Sequence, residues 1–313
     1  MAEAPHDVVV SQDGTQLYAL ANQQLYRIET GKASLLKNNQ GQCLGFTTSH
    51  LEMDSNGTLF LATSWEYENK YQGVRIYKTK PDLNLINVWG EYNSHLVPTP
   101  EATPPGNKSS AVNDLYISSE NQICISWKNE QGNGLFNDYQ FFPFSSTGSP
   151  LEPYVLRYID GKADTGPVKF VSTQVPIVYH DNLKKPLIIG SPGTISAQIT
   201  YAESILFSET LKKTHVIDAR IEKISGNLII IDQHRLIRMD IETKKTTPIA
   251  GHESEIGFQD GKNEARFNQP MALDLDAAGN IYLADSGNRA IRKITPDGTV
   301  STLYRAPTPS ASP

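Results

Sequence analysis

Apolar and polar residues alternate with period two in short runs along most of the chain, and Gly, Asp, Asn or Pro breaks each run. That is the signature of short half-buried strands joined by tight turns. It is cleanest near the C-terminus. Pro270 opens the run Met271-Ala272-Leu273-Asp274-Leu275, Gly279 sits in the turn that follows, and Ile281-Tyr282-Leu283-Ala284 forms a second strand. Asp285 to Asn288 interrupts, Ala290 to Ile294 resumes, Pro296-Asp297-Gly298 turns again, and Val300 to Leu303 closes a four-stranded meander. Four short antiparallel strands in about 40 residues make one blade of a β-propeller.

The same rhythm recurs upstream. Pro5, Ser11 and Gly14 repeat the spacing of Pro270, Asp276 and Gly279, and Asp54 and Gly57 repeat its second half. Gly226 to Asp232 lies on Gly279 to Asp285. The pattern predicts an all-β chain, a six-bladed β-propeller of four-stranded antiparallel blades. One domain over residues 1–306 would hold blades near 5–37, 41–90, 111–172, 174–209, 214–250 and 267–305, followed by a Pro/Ser-rich tail, 307–313. Blade three is expected to take its third and fourth strands from Tyr154–Tyr158 and Val168–Val171, and blade four its last two from Ser196–Ile199 and Ser204–Phe207. The first strand would be innermost and the last outermost, so no strand would be exchanged between the ends of the chain.

One stretch adds a family resemblance. Asp260-Gly261, Ala265-Arg266-Phe267, Pro270, Gly279-Asn280-Ile281-Tyr282, Ala284-Asp285, Asn288, Ile291-Arg292-Lys293-Ile294 and Gly298 together resemble an NHL repeat, within residues 251–304. Met271-Ala272-Leu273 departs from the family where a small Gly usually follows the proline by two. The resemblance implies a propeller. Members of the fold include amidating lyases, whose disulfide framework two cysteines, Cys43 and Cys124, would leave mostly unbuilt.

Parity sorts the connections of such a meander. With strands a to d counted from the axis, the b-to-c and d-to-a connections share one face and the short a-to-b and c-to-d turns share the other. The long segments Trp65 to Gly73 and Lys128 to Pro153 are read as b-to-c loops, and Tyr92 to Ser110 and His252 to Phe267 as d-to-a connections. Long loops on a rigid scaffold are the usual seat of function. These carry Trp65, Tyr67, Tyr71, Phe136, Tyr139, Phe141, Phe142 and Phe144, residue types that anchor partners.

Composition narrows the partners. The chain has 313 residues, 38% hydrophobic and 20% charged, and a formal net charge of -6. It contains no apolar run long enough for a membrane span. The acidic balance speaks against nucleic acid. The two cysteines lie in apolar stretches and are read as buried thiols. Asn56-Gly57-Thr58 and Asn107-Lys108-Ser109 are formal glycosylation sequons, and Met1-Ala2-Glu3-Ala4-Pro5 resembles a start methionine set before a processed N-terminus. A secreted or periplasmic monomer is the expectation.

Two classes of function compete. The preferred one is a non-catalytic module that binds a protein, a peptide or a glycan through the aromatic loops of blades two and three. The alternative is a metal-dependent lactonase, esterase or lyase. Six-bladed lactonases of the senescence-marker and gluconolactonase type hold calcium at the channel mouth on carboxylate and amide oxygens. Counting two positions past each Pro270 equivalent gives His6, Asp7, His50, Asn113, Asp114 and Asp218 as the groups that could converge there on a divalent cation. Neither Ser-His-Asp order nor a phosphate-binding loop occurs. Asp232 and Asp285, at the ends of b-strands, are read as acceptors for nearby backbone N–H groups.

Overall fold

The computed structural model describes residues 1, 3–43, 48–67, 71–79, 84, 86–92, 110–117, 123–131, 136–144, 177–180, 185–189, 205–206 and 216–307. Their regular secondary structure is almost entirely strand. The chain divides into two compact units, residues 1–44 with 213–313, and residues 45–212.

The first unit contains three four-stranded antiparallel meanders, each in chain order. The first is β1 (Pro5–Val10), β2 (Leu17–Ala21), β3 (Gln24–Glu29) and β4 (Lys32–Leu35). The second unit supplies a fourth such meander, β5 (Thr48–Met53), β6 (Leu59–Tyr67), β7 (Tyr71–Thr79) and β8 (Ile86–Tyr92). It continues with a three-stranded sheet of β9 (Ser110–Ile117), β10 (Ile123–Gln131) and β11 (Phe136–Phe144), and another of β12 (Ile177–His180), β13 (Lys185–Ile189) and β14 (Ile205–Leu206). Back in the first unit, β15 (Val216–Ile221), β16 (Leu228–Asp232), β17 (Arg235–Met239) and β18 (Thr246–Gly251) form its second meander. The last is β19 (Pro270–Leu275), β20 (Ile281–Asp285), β21 (Ala290–Ile294) and β22 (Val300–Arg305). Successive four-stranded meanders of this kind are the blades of a β-propeller.

Turn chemistry explains why the meanders repeat. Asp276 Oδ1 accepts N–H groups of Ala278 at 3.0 Å and Asn280 at 2.9 Å, and Asp54 Oδ1 accepts those of Asn56 at 2.9 Å and Thr58 at 2.8 Å. The aspartate holds its own turn closed. Gly14, Gly57 and Gly279 take φ of +71°, +76° and +82°, as the sequence spacing requires. In the b-to-c hairpin of the first sheet, Asn22 and Gln23 adopt φ of +46° and +61°, so a two-residue turn matches the strand twist.

Within the first unit, sheet β19–β22 is packed on both faces. Ala272, Ala284 and Ile291 meet Val8, Val10, Ala19 and Tyr26, whereas Leu273, Leu283 and Ile294 meet Ile229, Ile231 and Leu236. Period-two alternation along β19 sends Ala272 one way and Leu273 the other.

Three expectations change. Trp65 to Tyr67 and Tyr71 to Gly73 are strand: β6 and β7 pair through Trp65↔Gly73 to Tyr67↔Tyr71. Likewise Phe136–Phe144 is strand β11, paired with β10 from Gln131↔Phe136 to Ile123↔Phe144, so the third strand of that sheet is not Tyr154–Tyr158. Aromatic residues favour strands, and the Asn, Asp and Gln between them disguised the run as a loop. Thirdly, β14 pairs with β13 in parallel, Ile188↔Ile205, where antiparallel pairing was expected throughout. Residues 190–204 are long enough for the crossover that a parallel pair needs. Tyr154–Tyr158, Val168–Val171, Ser196–Ile199, the interior of the Tyr92 to Ser110 connection and the tail beyond Pro307 lie outside the described residues.

Candidate functional site

An inner strand pairs with one neighbour only, so its other edge presents backbone N–H groups without ladder partners. This chain covers them with carboxylates. Asp7 Oδ1 accepts Val8 N–H at 2.8 Å, Asp218 Oδ1 accepts Ala219 N–H at 2.7 Å, and Asp274 Oδ1 accepts Leu275 N–H at 2.8 Å. Asp218 and Asp274 also reach across to the next sheet. Asp218 Oδ2 on β15 accepts Leu273 N–H of β19 at 2.9 Å, and Asp274 Oδ2 on β19 accepts Val10 N–H of β1 at 2.7 Å. Arg220 joins this layer, its guanidinium 2.8 Å from Asp218 Oδ1 and 3.0 Å from the Ala219 carbonyl. Asp274 has no such cation bonded to it. Burial pushes its carboxyl up to about 6, against the pull of Arg220, the Val10 and Leu275 N–H groups and Lys223.

Each inner strand of five sheets carries one extra residue at the same place. The pairing slips between Pro5 and Asp7, Thr48 and His50, Val216 and Asp218, and Pro270 and Ala272, and β9 slips opposite Ser126 and Trp127. The bulged residues are therefore His6, Ser49, Asn113, Ile217 and Met271. Bulges re-aim side chains and cluster near functional sites. Among those of the first unit, Ile217 is 36% and Met271 47% exposed, and His6 is half-buried.

The bulges also fix where the hairpins project. Ala21, Thr63, Asp232 and Asp285 all pair with the residue before the bulge, and Trp127 pairs with Val112 in the same role. After Ala21 and Asp232 the next strand follows within two residues. By contrast β6 runs on through residues 64–67 and β10 through 128–131. Four residues of strand extend about 13 Å at ~3.3 Å each. Ser49 and Asn113 stand at the foot of these two hairpins. Trp65, Tyr67 and Tyr71 lie on the first, and Phe136 and Tyr139 near the end of the second, with Phe141, Phe142 and Phe144 further down β11. The side chains of these eight aromatics, and of Asn113 and Asp114, are not among those described.

Of the proposed cation ligands, Asp7 and Asp218 are buried and engaged with backbone N–H groups. His6 is a bulge residue of the first unit, while His50, Asn113 and Asp114 lie on β5 and β9 of the second. Among the described residues no three His, Cys, Asp or Glu side chains are grouped as metal ligands. Both aspartates cap strand edges, and nothing in spacing alone distinguishes a capping carboxylate from a ligating one. Sequence reasoning missed Arg220 and Asp274. Cys43 is free and half-buried.

Asp285, read as a backbone acceptor, does accept Asn268 N–H at 2.8 Å, and it also holds Asn288 Nδ2 at 2.8 Å and Arg292 Nη1 at 2.7 Å. Burial nevertheless raises its carboxyl above the usual range. Arg292 Nη2 continues to Asp260 Oδ1 and the Gln259 carbonyl, each at 2.6 Å. The polar residues of the NHL-like stretch thus pin the 252–269 connection onto the last sheet. Asp232 is tied by Arg235 at 2.7 Å.

No helix among the described residues is long and apolar enough to cross a membrane. No protein-family model matches the chain, and no curated protein matches it. Solved structures resemble it at low identity. The tricorn protease matches 100% of this chain and 27% of its own at 10% identity, with a TM-score of 0.51. Virginiamycin B lyase from Staphylococcus aureus matches 97% of this chain and 85% of its own at 12% identity, with a TM-score of 0.45. Gluconolactonase XC5397 from Xanthomonas campestris matches 99% and 77% at 11% identity, with a TM-score of 0.37. Likeness at such identities concerns the fold alone.

Proposed function

We propose that this chain is a six-bladed propeller of the NHL type that binds a protein or peptide partner on the end of its sheets where the inner strands begin. The observation that carries the reading is the overrun of two adjacent hairpins in the second unit, residues 64–67 and 128–131, past the level at which β2 and β16 stop. Fixing a residue costs about 1 to 2 kcal/mol of backbone entropy, and the cross-strand pairing of a lone projecting hairpin is marginally stable at best in water. A contact made elsewhere would offset it. The aromatic residues that the two hairpins carry are of the types that dominate interface hot spots.

The test is to cut the hairpins back. Replacing residues 66–72 with an Asn-Gly turn, and separately 129–138 with another, keeps the inner pairing intact. Partners captured by the intact chain are expected to be lost from both shortened forms, while the melting temperature stays within a few degrees. Equal binding by the shortened forms, or docking on the short-turn face, would overturn the reading. Calcium-dependent hydrolysis of lactones or esters by the purified chain would replace it with the enzymatic one.

A further inference from the structure

Pairing register sets one cross-strand row at the first projecting hairpin. Trp65 on β6 lies opposite Gly73 on β7, and Gly73 lies opposite Tyr92 on β8. Directly opposed residues share a face of the sheet, as do residues two apart on one strand. Tyr67 and Tyr71, paired in the next row toward the tip, are therefore on the same face. The row on the other side, Thr63–Arg75–Gly90, adds an arginine to it. The carboxylates fall on the opposite face, Glu66 paired with Gln72 and Glu91 with Val74. Two aromatic positions thus stand either side of a glycine, with a cation in the adjoining row and no acid among these residues of that face.

A glycine inside a paired strand weakens it, and such glycines often mark a place where a ligand comes close. β7 is paired on both sides at Gly73, so this row offers a sheet face and no free edge. A ligand that binds by adding a strand needs an edge. A polyproline II segment makes no backbone pairs of its own and docks on aromatic-lined faces. The spacing agrees. Two strand intervals separate the Trp65 and Tyr92 positions by about 9.5 Å, against about 9.3 Å for one three-residue turn of polyproline II. We propose that the face bearing Trp65, Gly73 and Tyr92 takes a proline-rich segment of a partner protein in the polyproline II conformation, with an acidic residue beside the prolines to complement Arg75. This rests on the function proposed above and names the chemistry of the partner that the first hairpin holds.

The probe is decaproline carrying a pair of C-terminal glutamates, titrated into the full chain by calorimetry, with a Gly/Ser peptide bearing the same glutamates as control. Saturable binding of the proline probe alone is expected. Trp65→Ala and Tyr92→Ala should each weaken it by about tenfold or more. Arg75→Gln should remove the advantage of the probe over plain decaproline. Gly73→Val should abolish binding while the melting temperature holds or rises, because valine suits a strand better than glycine. A glycine needed only for folding would give the reverse. Absence of saturable binding, undiminished binding by Gly73→Val, or a preference for cellohexaose at the same residues would each overturn the proposal. So would binding tightened by about tenfold or more once Pro98, Pro100, Pro104 and Pro105 are replaced by alanine, since the occupant would then be the chain's own connection. Should Gly73→Val fail to fold, Tyr92→Ala and Arg75→Gln decide it. If captured partners are lost on shortening the hairpins but the probe does not bind, this inference falls and the proposed function stands. If the probe binds and those partners survive the shortening, the proposed function falls instead.

Discussion

Asp285 and Arg292 face each other at 2.7 Å with neither side chain exposed, and the pair ties three segments together. Asp285 takes the Asn268 N–H, while Arg292 reaches Asp260 and the Gln259 and Arg266 carbonyls. Phe258 and Phe267 flank the guanidinium at 4.7 and 5.2 Å. Removing the cation leaves a buried carboxylate alone. Arg292→Met should destabilise the chain by about 3 to 5 kcal/mol in urea unfolding, and Asp285→Asn by less, because Asp260 still meets the guanidinium at 2.6 Å.

Gly14 and Gly279 share a left-handed backbone but not a neighbourhood. A Cβ on Gly14 would lie 2.8 Å from Asp276 Oδ2, which Asn280 and Tyr282 hold in place, whereas one on Gly279 meets nothing nearer than 3.6 Å. Gly279→Ala should therefore cost about 1 kcal/mol from backbone strain alone. Gly14→Ala should cost measurably more in the same thermal or urea unfolding experiment.

Asp218→Ala strips a partner from Leu273, Ala219 and Arg220 at once. Two buried N–H groups and a buried guanidinium lose an acceptor, so a loss of about 3 kcal/mol or more is expected in chemical denaturation. If the carboxylate serves structure as described, calcium should not raise the melting temperature of the wild-type chain. A calcium-dependent rise that vanishes in Asp218→Ala would reassign it as a ligand.

Asp13 shows the opposite electrostatic case to Asp274. Hydrogen bonds from Ser11, then Thr15, hold its carboxyl down to about 2 on an exposed turn. Such a group favours the folded turn above its ordinary value near 3.8 and loses that effect as pH falls through 2. NMR titration should find Asp13 ionised at pH 3, and Ser11→Ala should move its midpoint upward.

Trp65→Ala and Tyr139→Ala test the projecting hairpins one side chain at a time. Each is expected to weaken partner binding by about 2 kcal/mol in a titration, with the melting transition nearly in place. Unchanged affinity in both would remove these residues from the contact.

Much of this was legible in the sequence because turn residues mark strand ends. Gly14, Gly57 and Gly279 announced their backbone, and Pro5 and Pro270 announced the first residue of an inner strand. What spacing could not reveal was partnership. The run Phe136–Phe144 is strand because β10 lies beside it, and the same residues alone read equally as a decorated loop. Asp7 and Asp218 were correctly placed on inner strands, but whether a carboxylate meets a cation or a peptide N–H depends on the neighbouring sheet. Arg220 was overlooked since one arginine in an apolar strand carries no motif.

The repeated bulge separates two kinds of inheritance. A strand one residue longer than its partner lets the pairing beyond the bulge keep its register whatever side chain occupies the extra position. In this chain that position holds histidine, serine, asparagine, isoleucine and methionine, five chemistries on a single backbone solution. Substitution there can rewrite the mouth of each blade without disturbing its interior, so five sites can diversify independently while the scaffold stays fixed.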